Sequence, residues 1–503
     1  MKKILLTLLA AVAVFDAFAG GITTNTNQSV QWVRHLARGT SLDPDAVYFN
    51  PAGTAFMQDG FHISIANQFV FQNRRSEITY APFAMNGGSD TKRFDGKTFA
   101  PLLPNLDFVW KHKRFSIMAS AGVGGGGGKA KYNNGLGSFE EQVAVLPLAV
   151  NSFASQLQPL GIDLSSNAYS LSSRVHGYQV TYAANLGAAV RITKWLSFAA
   201  QLRFNYVTNE YIGHVKDIMI NPTSAAFGFD GTMMRADAFL GEFATKFVDR
   251  VNSMPLPQEQ KDALINQVGG SVQGYAQRVA DKQINAEQTG WGISPVLALY
   301  FNLNGWSASA KYEFRTAITL TNKTKVDDTG IYPDGGKTAY DQPALLTLAL
   351  SKRFRDKVTL TAQYNCYFDK DAHYENAFGT TTPKQKLVNR NTMEYLLGVE
   401  WNINKRWLVS CGMQYTDYNV DDAFHSELGY QLDCLTVGLG GAFNISQKVR
   451  FNLGVCHGFY MPHTVAATRE LNASTVLPYT TRYSRRSTIV SIGFDFKFAR
   501  RAK

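Results

Sequence analysis

The sequence predicts an all-β fold, a 14-stranded antiparallel transmembrane β-barrel, from three observations. Apolar and polar residues alternate with a period of two over segments that run well past the usual strand length of soluble sheets. Short turns alternate with long loops along the chain, and five of the seven Trp residues lie beside the short turns. An even number of long strands, short turns on one side and aromatic residues at the interface are typical of outer-membrane barrels.

The first nineteen residues predict a signal peptide. Lys2 and Lys3 precede an apolar run over residues 4–15, and Ala17-Phe18-Ala19 matches an A-x-A cleavage site. The mature chain is therefore predicted to begin at Gly20 and to leave the cytoplasm. After residue 19 there is no run of 18 or more apolar residues, so the sequence predicts no membrane-spanning helix.

Composition and charge limit the class of partner. The 33 Phe, 23 Tyr and 42 Gly residues are mixed throughout the chain, without a shift that would mark a linker. The formal net charge is +11, but an exported chain is a poor candidate for binding nucleic acid. A basic exported protein fits better with outer-membrane lipid, lipopolysaccharide or anionic ligands. We expect a monomer and predict neither a cofactor nor a metal site.

The alternation is clearest at residues 178–192, where Tyr, Val, Leu and Ala face one side and Gln, Thr, Asn and Arg face the other. After a turn at Thr193-Lys194, residues 195–210 repeat the pattern, and further short turns make the strands countable. The fourteen strands are predicted at 61–72, 105–112, 115–123, 178–192, 195–210, 291–302, 306–319, 344–354, 357–369, 391–402, 406–418, 431–443, 448–460 and 483–498. The largest loops between them are 124–177 and 212–290.

Tryptophan supports a membrane barrel over a soluble β-structure, which is the alternative. A girdle of aromatic residues is expected where a barrel meets the periplasmic interface of the membrane. Five Trp residues lie within a few positions of a short turn: Trp110, Trp195, Trp306, Trp401 and Trp407.

The segment "VYFNPAG", Val47 to Gly53, contains a helix start. Asn50 is a favourable N-cap, and Pro51 suits the first helical position, so a short helical turn from Pro51 to Met57 is predicted. The chain also contains "GWG" at 290–292 and "KYEFR" at 311–315. With "NPA" at Asn50, Pro51 and Ala52, these motifs resemble, in order and spacing, the FadL family of outer-membrane transporters of long-chain fatty acids and other hydrophobic compounds. The resemblance covers nearly the whole chain.

This resemblance implies an organisation and a route. Residues 20–60 would form a plug, or hatch, inside the lumen of a barrel made by residues 61–503. A hydrophobic ligand would be captured at extracellular loops, pass to a lumenal pocket and leave sideways at a kink in the third strand. On the alternative interpretation, Asn50 and Pro51 are only a helix cap.

For capture, residues 237–251 place apolar side chains at helical spacing, and Phe243 and Phe247 are the candidate contacts for the ligand. The alternative is that these apolar faces simply bury each other over the barrel mouth. For lateral exit, five consecutive glycines follow the third strand, and a run of Gly cannot hold a regular strand well. These candidate gap residues are Gly124, Gly125, Gly126, Gly127 and Gly128, with a flexible extracellular loop as the alternative.

For a ligand carboxylate, the candidate lumenal cations are Arg203 in the fifth strand and Lys311 and Arg315 in the seventh. Glu313 lies between the last two on the same predicted face, so an internal ion-pair ladder is the alternative. Cys434 and Cys456 fall on the polar face of strands twelve and thirteen, where either a cross-strand disulfide or two free thiols could exist.

Three function classes compete. The leading interpretation is passive transport of long-chain fatty acids or similar hydrophobic molecules; a general or sugar-selective porin is the alternative. A lipid hydrolase would need a nucleophile beside a His residue, but His176, His214 and His373 are scattered and have no convincing partner. No enzymatic activity is therefore expected.

Overall fold

The computed structural model describes residues 20–26, 28–377, 380–472 and 475–499. The predicted signal peptide, residues 1–19, lies outside them. Within the described residues, fourteen strands form one antiparallel barrel. The strands are β1 Gly60–Tyr80, β2 Thr91–His112, β3 Phe115–Tyr132, β4 Tyr169–Arg191, β5 Leu196–Ile220, β6 Lys282–Leu303, β7 Trp306–Glu313, β8 Leu345–Phe354, β9 Val358–Tyr367, β10 Thr392–Asn402, β11 Trp407–Asp417, β12 Cys434–Asn444, β13 Val449–Tyr460 and β14 Thr475–Ala499.

The barrel is closed because β1 pairs with β14 along its whole length, from Gly60 opposite Ala499 to Tyr80 opposite Tyr479. Closure pairs the first strand with the last, so that neither is left as a free edge, which a membrane-embedded sheet requires. The predicted fold class and strand number are confirmed. None of the described helices is long and apolar enough to cross a membrane.

Strand ends at the short turns agree with the predicted ends, whereas many strands extend further at the opposite end. β1 continues to Tyr80 rather than to residue 72, because residues 73–77 are polar on both faces and hydropathy no longer marks them as a strand. β7 ends at Glu313 rather than at residue 319. After an irregular segment, residues 319–327 form a separate strand that pairs with the upper part of β6.

The outer surface carries the predicted aromatic girdle. All five Trp residues beside the short turns are exposed on the barrel exterior, between 37% and 52% of their accessible surface: Trp110, Trp195, Trp306, Trp401 and Trp407. Along the strands, exposed apolar residues alternate with buried polar ones, as expected for an outer face in lipid and an inner face in the lumen.

The N-terminal segment, which we define as residues 20–59, packs inside the barrel. Its helix α1, Val30–His35, lies against the inner faces of β11 to β14, and α2, Ala46–Phe49, leads into a short 3-10 helix, Pro51–Phe56. Asn50 caps this helix as predicted: its Oδ1 accepts a hydrogen bond from the Gly53 amide at 3.3 Å. The Ala52 carbonyl accepts one from Ser197 Oγ of β5 at 2.6 Å, which fastens the turn to the wall.

The two large loops fold into helices over the opposite end. They contain α3, Gly137–Ala144, and α4, Leu146–Leu157, after β3, and α5, Ala236–Asn252, and α6, Gln258–Val279, after β5. Their apolar faces join the extended upper strands in the largest buried apolar cluster among the described residues.

Candidate functional site

The loop helices enclose a small apolar cavity of about 50 Å³. Phe243 of α5 lines it and stands at the centre of an aromatic group, 5.8 Å from both Phe239 and Phe247 between ring centroids and 5.9 Å from Phe153. Phe247 is buried behind Phe243 and does not line the cavity. The loop helices therefore bury each other, and they leave a small apolar cavity between them.

Arg203 and Lys311 meet inside the barrel, on β5 and β7, and both contact the carboxylate of Glu313. Arg203 Nη1 contacts Glu313 Oε2, while Lys311 Nζ lies 2.6 Å from Glu313 Oε1. Each cation also lies over the ring of Tyr48 from the N-terminal segment, at 4.7 Å and 4.8 Å from its centroid. The structure thus contains the ion-pair arrangement that the sequence left as an alternative. Two cations and one carboxylate leave one net positive charge.

A small cavity of about 20 Å³ adjoins this charged group. Arg203 and Glu313 form a polar part of its lining, and aromatic side chains form an apolar part. Thr24 and Tyr48 bring the N-terminal segment to the same lining, and Gly124 brings β3. The lining combines charged and apolar surface, although the cavity itself has room for little more than a water molecule.

Arg315 lies apart from these cations. Its Nη1 donates to the Asp371 carbonyl at 3.0 Å, lies 3.3 Å from Asp341 Oδ2 and contacts the His373 ring at 2.8 Å. The shared face predicted for Lys311 and Arg315 is wrong, because β7 ends at Glu313 and the alternation stops there.

The pairing of β2 with β3 is interrupted beside the glycine run. Leu106 pairs with Ala121, but the next pair along the two strands is Thr98 with Ala130. Residues 99–105 of β2 and 122–129 of β3 lie between these pairs. Through the same stretch β3 stays paired with β4, with register shifts at the glycines.

Glycine is required here by the backbone. Gly126 has φ +62°, and a Cβ on it would lie 2.2 Å from the Gln179 carbonyl oxygen. A Cβ on Gly125 would lie 2.5 Å from the carbonyl oxygen of Thr23 in the N-terminal segment. The five-glycine run therefore belongs to an irregular part of β3, packed against both β4 and the N-terminal segment.

On the outer surface the interruption forms an open groove of about 550 Å³. Outward-facing apolar residues line it, among them Ile65, Leu106 and Phe204. Ala183 of β4 lines both this groove and the lumenal cavity. The bulged backbone of β3 therefore lies between the lumen and the lipid-facing side.

Residues 20–26, which we call the strap, cross the lumen and reach this part of β3. The Asn25 amide donates to the Gly124 carbonyl at 2.9 Å, and Asn25 Nδ2 donates to the Gly126 carbonyl at 2.7 Å. Just after the strap, Gln28 Nε2 donates to the Val123 carbonyl at 2.7 Å. These bonds occupy β3 carbonyls at the interruption. Sequence reasoning missed Asn25 and Gln28, because no motif marks them.

The cysteine alternatives are also resolved. Cys434 stands opposite Tyr460 and Cys456 opposite Gly438, so the two thiols lie four positions apart along the β12–β13 pair. Both are free thiols. The disulfide alternative is wrong, and the alternative of two free thiols is confirmed.

Comparison with known proteins identifies the fold. No family model matches the chain, and no curated protein matches it. A Pseudomonas aeruginosa FadL homologue matches over 95% of this chain and 100% of its own, with 13% identity and a TM-score of 0.61. This chain has the FadL-type barrel fold.

Two further solved structures share the FadL-type fold at similar identity. The Pseudomonas putida toluene transporter TodX matches over 97% of this chain and 100% of its own, with 15% identity and a TM-score of 0.53. The Ralstonia pickettii toluene transporter TbuX matches over 96% of this chain and 99% of its own, with 15% identity and a TM-score of 0.51. The sequence-based resemblance to FadL-type barrels therefore holds for the fold.

Proposed function

We propose that this chain is a passive transporter of long-chain fatty acids or similar hydrophobic molecules in the bacterial outer membrane. The signal peptide is removed before Gly20, and residues 20–59 serve as the plug. The observation that carries the proposal is the presence in one barrel of an apolar loop cavity, a lumenal cavity and an interrupted pairing of β2 with β3 that is lined by a groove on the outer surface.

Capture takes place at the cavity beside Phe243. Its apolar walls can cover a hydrocarbon chain, and removing apolar surface from water is worth about 25 cal/mol per Å². The guest competes for space with side chains that already pack together, so binding there is reversible. Phe247 supports Phe243 and sets the shape of the wall.

A carboxylate then binds beside Arg203 and Lys311, where the charged group has one net positive charge. A second candidate substrate is an uncharged monoaromatic molecule. It is favoured by the fact that both cations already contact Glu313. TodX and TbuX are named as toluene transporters, which agrees with this second candidate.

Exit takes place between β2 and β3, at Gly124 to Gly128. A hydrophobic molecule that leaves here enters lipid directly and avoids the aqueous periplasm. The strap covers the inner side through Asn25, so release requires the strap to move. An open porin is disfavoured, because the N-terminal segment occupies the lumen.

The test is uptake of labelled oleate, toluene and a small oligosaccharide by cells that lack such transporters and express this chain. Oleate uptake without sugar entry supports fatty-acid transport, and toluene uptake alone supports the second candidate. Sugar entry without either hydrophobic substrate would identify a porin. Cell fractionation and N-terminal sequencing of the same cells test the location and the processing site.

A further inference from the structure

Glu394 of β10 is a fully buried carboxylate on the lumenal face. It accepts hydrogen bonds from the Gly20 amide nitrogen, Asn365 Nδ2 and Gln414 Nε2, each at 2.7 Å. Weaker bonds come from Tyr367 at 3.3 Å and Thr416 at 3.4 Å. Every one of these donors is uncharged in the unprocessed chain.

Among the described residues, no Lys, Arg or His nitrogen lies within 4 Å of this carboxylate. Glu400, on the same face of the same strand, is by contrast 3.0 Å from Arg34 Nη1. Burying a carboxylate without a cation is costly even when it is hydrogen-bonded. The buried carboxylate of Glu394 therefore has hydrogen-bond donors around it but, in the described part of the chain, no cation nearby to balance its negative charge.

The missing charge can come from the chain itself. Gly20 follows the Ala17-Phe18-Ala19 cleavage site, so cleavage converts its amide nitrogen into a primary ammonium. That nitrogen already lies 2.7 Å from Glu394 Oε1. We propose that the α-ammonium group of processed Gly20 forms a buried ion pair with Glu394, and that this pair latches the strap across the lumen.

The Gly20–Glu394 pair holds one end of the strap, and the hydrogen bonds from Asn25 to β3 hold the other end. The Ile22 amide donates to Asp369 Oδ1 at 3.1 Å beside the latch, whereas Asn25 bonds to β3. A Cβ on Gly20 would lie 2.0 Å from the Thr24 carbonyl oxygen, so the tight turn of the strap suits glycine at this position. Signal-peptide removal thus completes the closed state of the lumen, an inference that rests on the proposed processing.

Competitive labelling tests the pair without reference to transport. Folded, detergent-solubilised mature protein is treated with trace acetic anhydride across a pH series, and acetylation of the Gly20 amine is quantified by mass spectrometry against the urea-unfolded chain. An ion pair raises the pKa of the amine by at least about one pH unit above its unfolded value, a tenfold rise in proton affinity. Burial without a charged partner shifts the pKa in the opposite direction.

Two variants on β10 sharpen the result. Glu394→Gln removes the charge, so the amine should titrate below its unfolded value, whereas Glu400→Gln should leave it as in the parent. An amine that titrates at or below the unfolded value in the folded parent would overturn the proposal, as would a mature chain that begins at a residue other than Gly20. Loss of transport with a raised amine pKa would instead count against the transport proposal and leave the latch standing.

Discussion

We call the line along which two neighbouring strands pair a seam. The β4–β5 seam and the β2–β3 seam both join long strands of the same barrel, but only the backbone pairing of the β4–β5 seam is continuous. β4 and β5 pair from Arg191 with Ser197 to Tyr169 with Ile220, with a single register shift near the end. β2 and β3 lose their pairing between Leu106 and Thr98. The difference lies in residues that do not sustain regular backbone hydrogen bonding between strands. β3 contributes glycines, which have no side chain to pack, and β2 contributes prolines, which have no N–H to donate.

The prolines of β2 lie where its pairing with β3 is interrupted. Pro101 and Pro104 flank a bulge in the pairing of β2 with β1, and the side chain of Asn67 on β1 bonds to the bulged backbone. Its Nδ2 donates to the Pro101 carbonyl and its Oδ1 accepts from the Leu103 amide, both at 3.0 Å. The bulge of β2 beside the gap is therefore held by side-chain hydrogen bonds to β1.

The largest effect is expected from making the β2–β3 seam resemble the β4–β5 seam. Replacing Gly124–Gly128 with Val-Thr-Val-Thr-Val favours regular pairing and fills the space beside Thr23 and Thr98. Oleate or toluene uptake should fall by at least about tenfold, which corresponds to about 1.4 kcal/mol.

The control for this prediction changes the continuous seam. Ala188 and Ala200 are outward-facing register partners, and their replacement by Val should leave uptake unchanged. Heat-dependent gel mobility checks that both variants fold. Normal uptake by a folded variant with the five glycines replaced would show that the transported molecule does not leave between β2 and β3.

A smaller effect is expected from loosening the strap. Asn25→Ala with Gln28→Ala removes two side-chain hydrogen bonds to β3, each worth about 1 kcal/mol, and should raise toluene entry several-fold. The matched variant is Gln201→Ala on β5, whose Nε2 donates to the Val47 carbonyl at 2.9 Å. Equal increases in both variants would mean that general loosening of the plug, and not the seam contact, controls entry.

Phe243→Ala tests whether the loops contribute to the route ahead of the seam. Phe-to-Ala changes in a packed core cost about 3–5 kcal/mol, so the cavity wall should be weakened. The oleate concentration that gives half-maximal uptake should rise several-fold, while the maximal rate of uptake changes little. Phe198→Ala, on the outer face of β5, serves as the control; a lowered maximal rate for Phe243→Ala alone would instead place Phe243 in the translocation step.

The smallest effect on uptake is expected from acid, which should act on the loops and not on either seam. Burial lowers the pKa of His425, in the loop between β11 and β12, to about 4, assisted by nearby His463 and opposed by Asp422. Since the unfolded loop binds a proton near pH 6.5 and the folded loop does not, loop stability falls as pH drops from about 6.5 to 4, by at most about 3 kcal/mol.

Hydrogen exchange of residues 420–430, corrected for intrinsic rates, measures this loss. His425→Phe should flatten its pH dependence, and exchange in β4 and β5 should not change. Equal acid sensitivity in the variant would assign the effect to another group.

Much of the fold could be predicted because its rules are local. Alternation and turn residues predict the strands, and the cap at Asn50 and the helix around Phe243 follow from spacing. The end of β7, which displaces Arg315, could not be predicted, because it depends on pairing with distant strands. Asn25, Gln28 and Glu394 act through contacts across the lumen, and nothing in their sequence neighbourhood marks those contacts.

The most direct test of the central claim is a reversible lock on the β2–β3 seam. A Cβ on Gly122 would lie 3.3 Å from the side-chain nitrogen of Asn105, so Asn105→Cys with Gly122→Cys places two thiols across the lower edge of the gap. Ala188→Cys with Ala200→Cys supplies the same bridge across the continuous seam. With the disulfides verified by mass spectrometry, oxidation should reduce uptake of the transported hydrophobic substrate in the first variant only, and reduction should restore it. Undiminished uptake through an oxidised β2–β3 seam would contradict lateral exit.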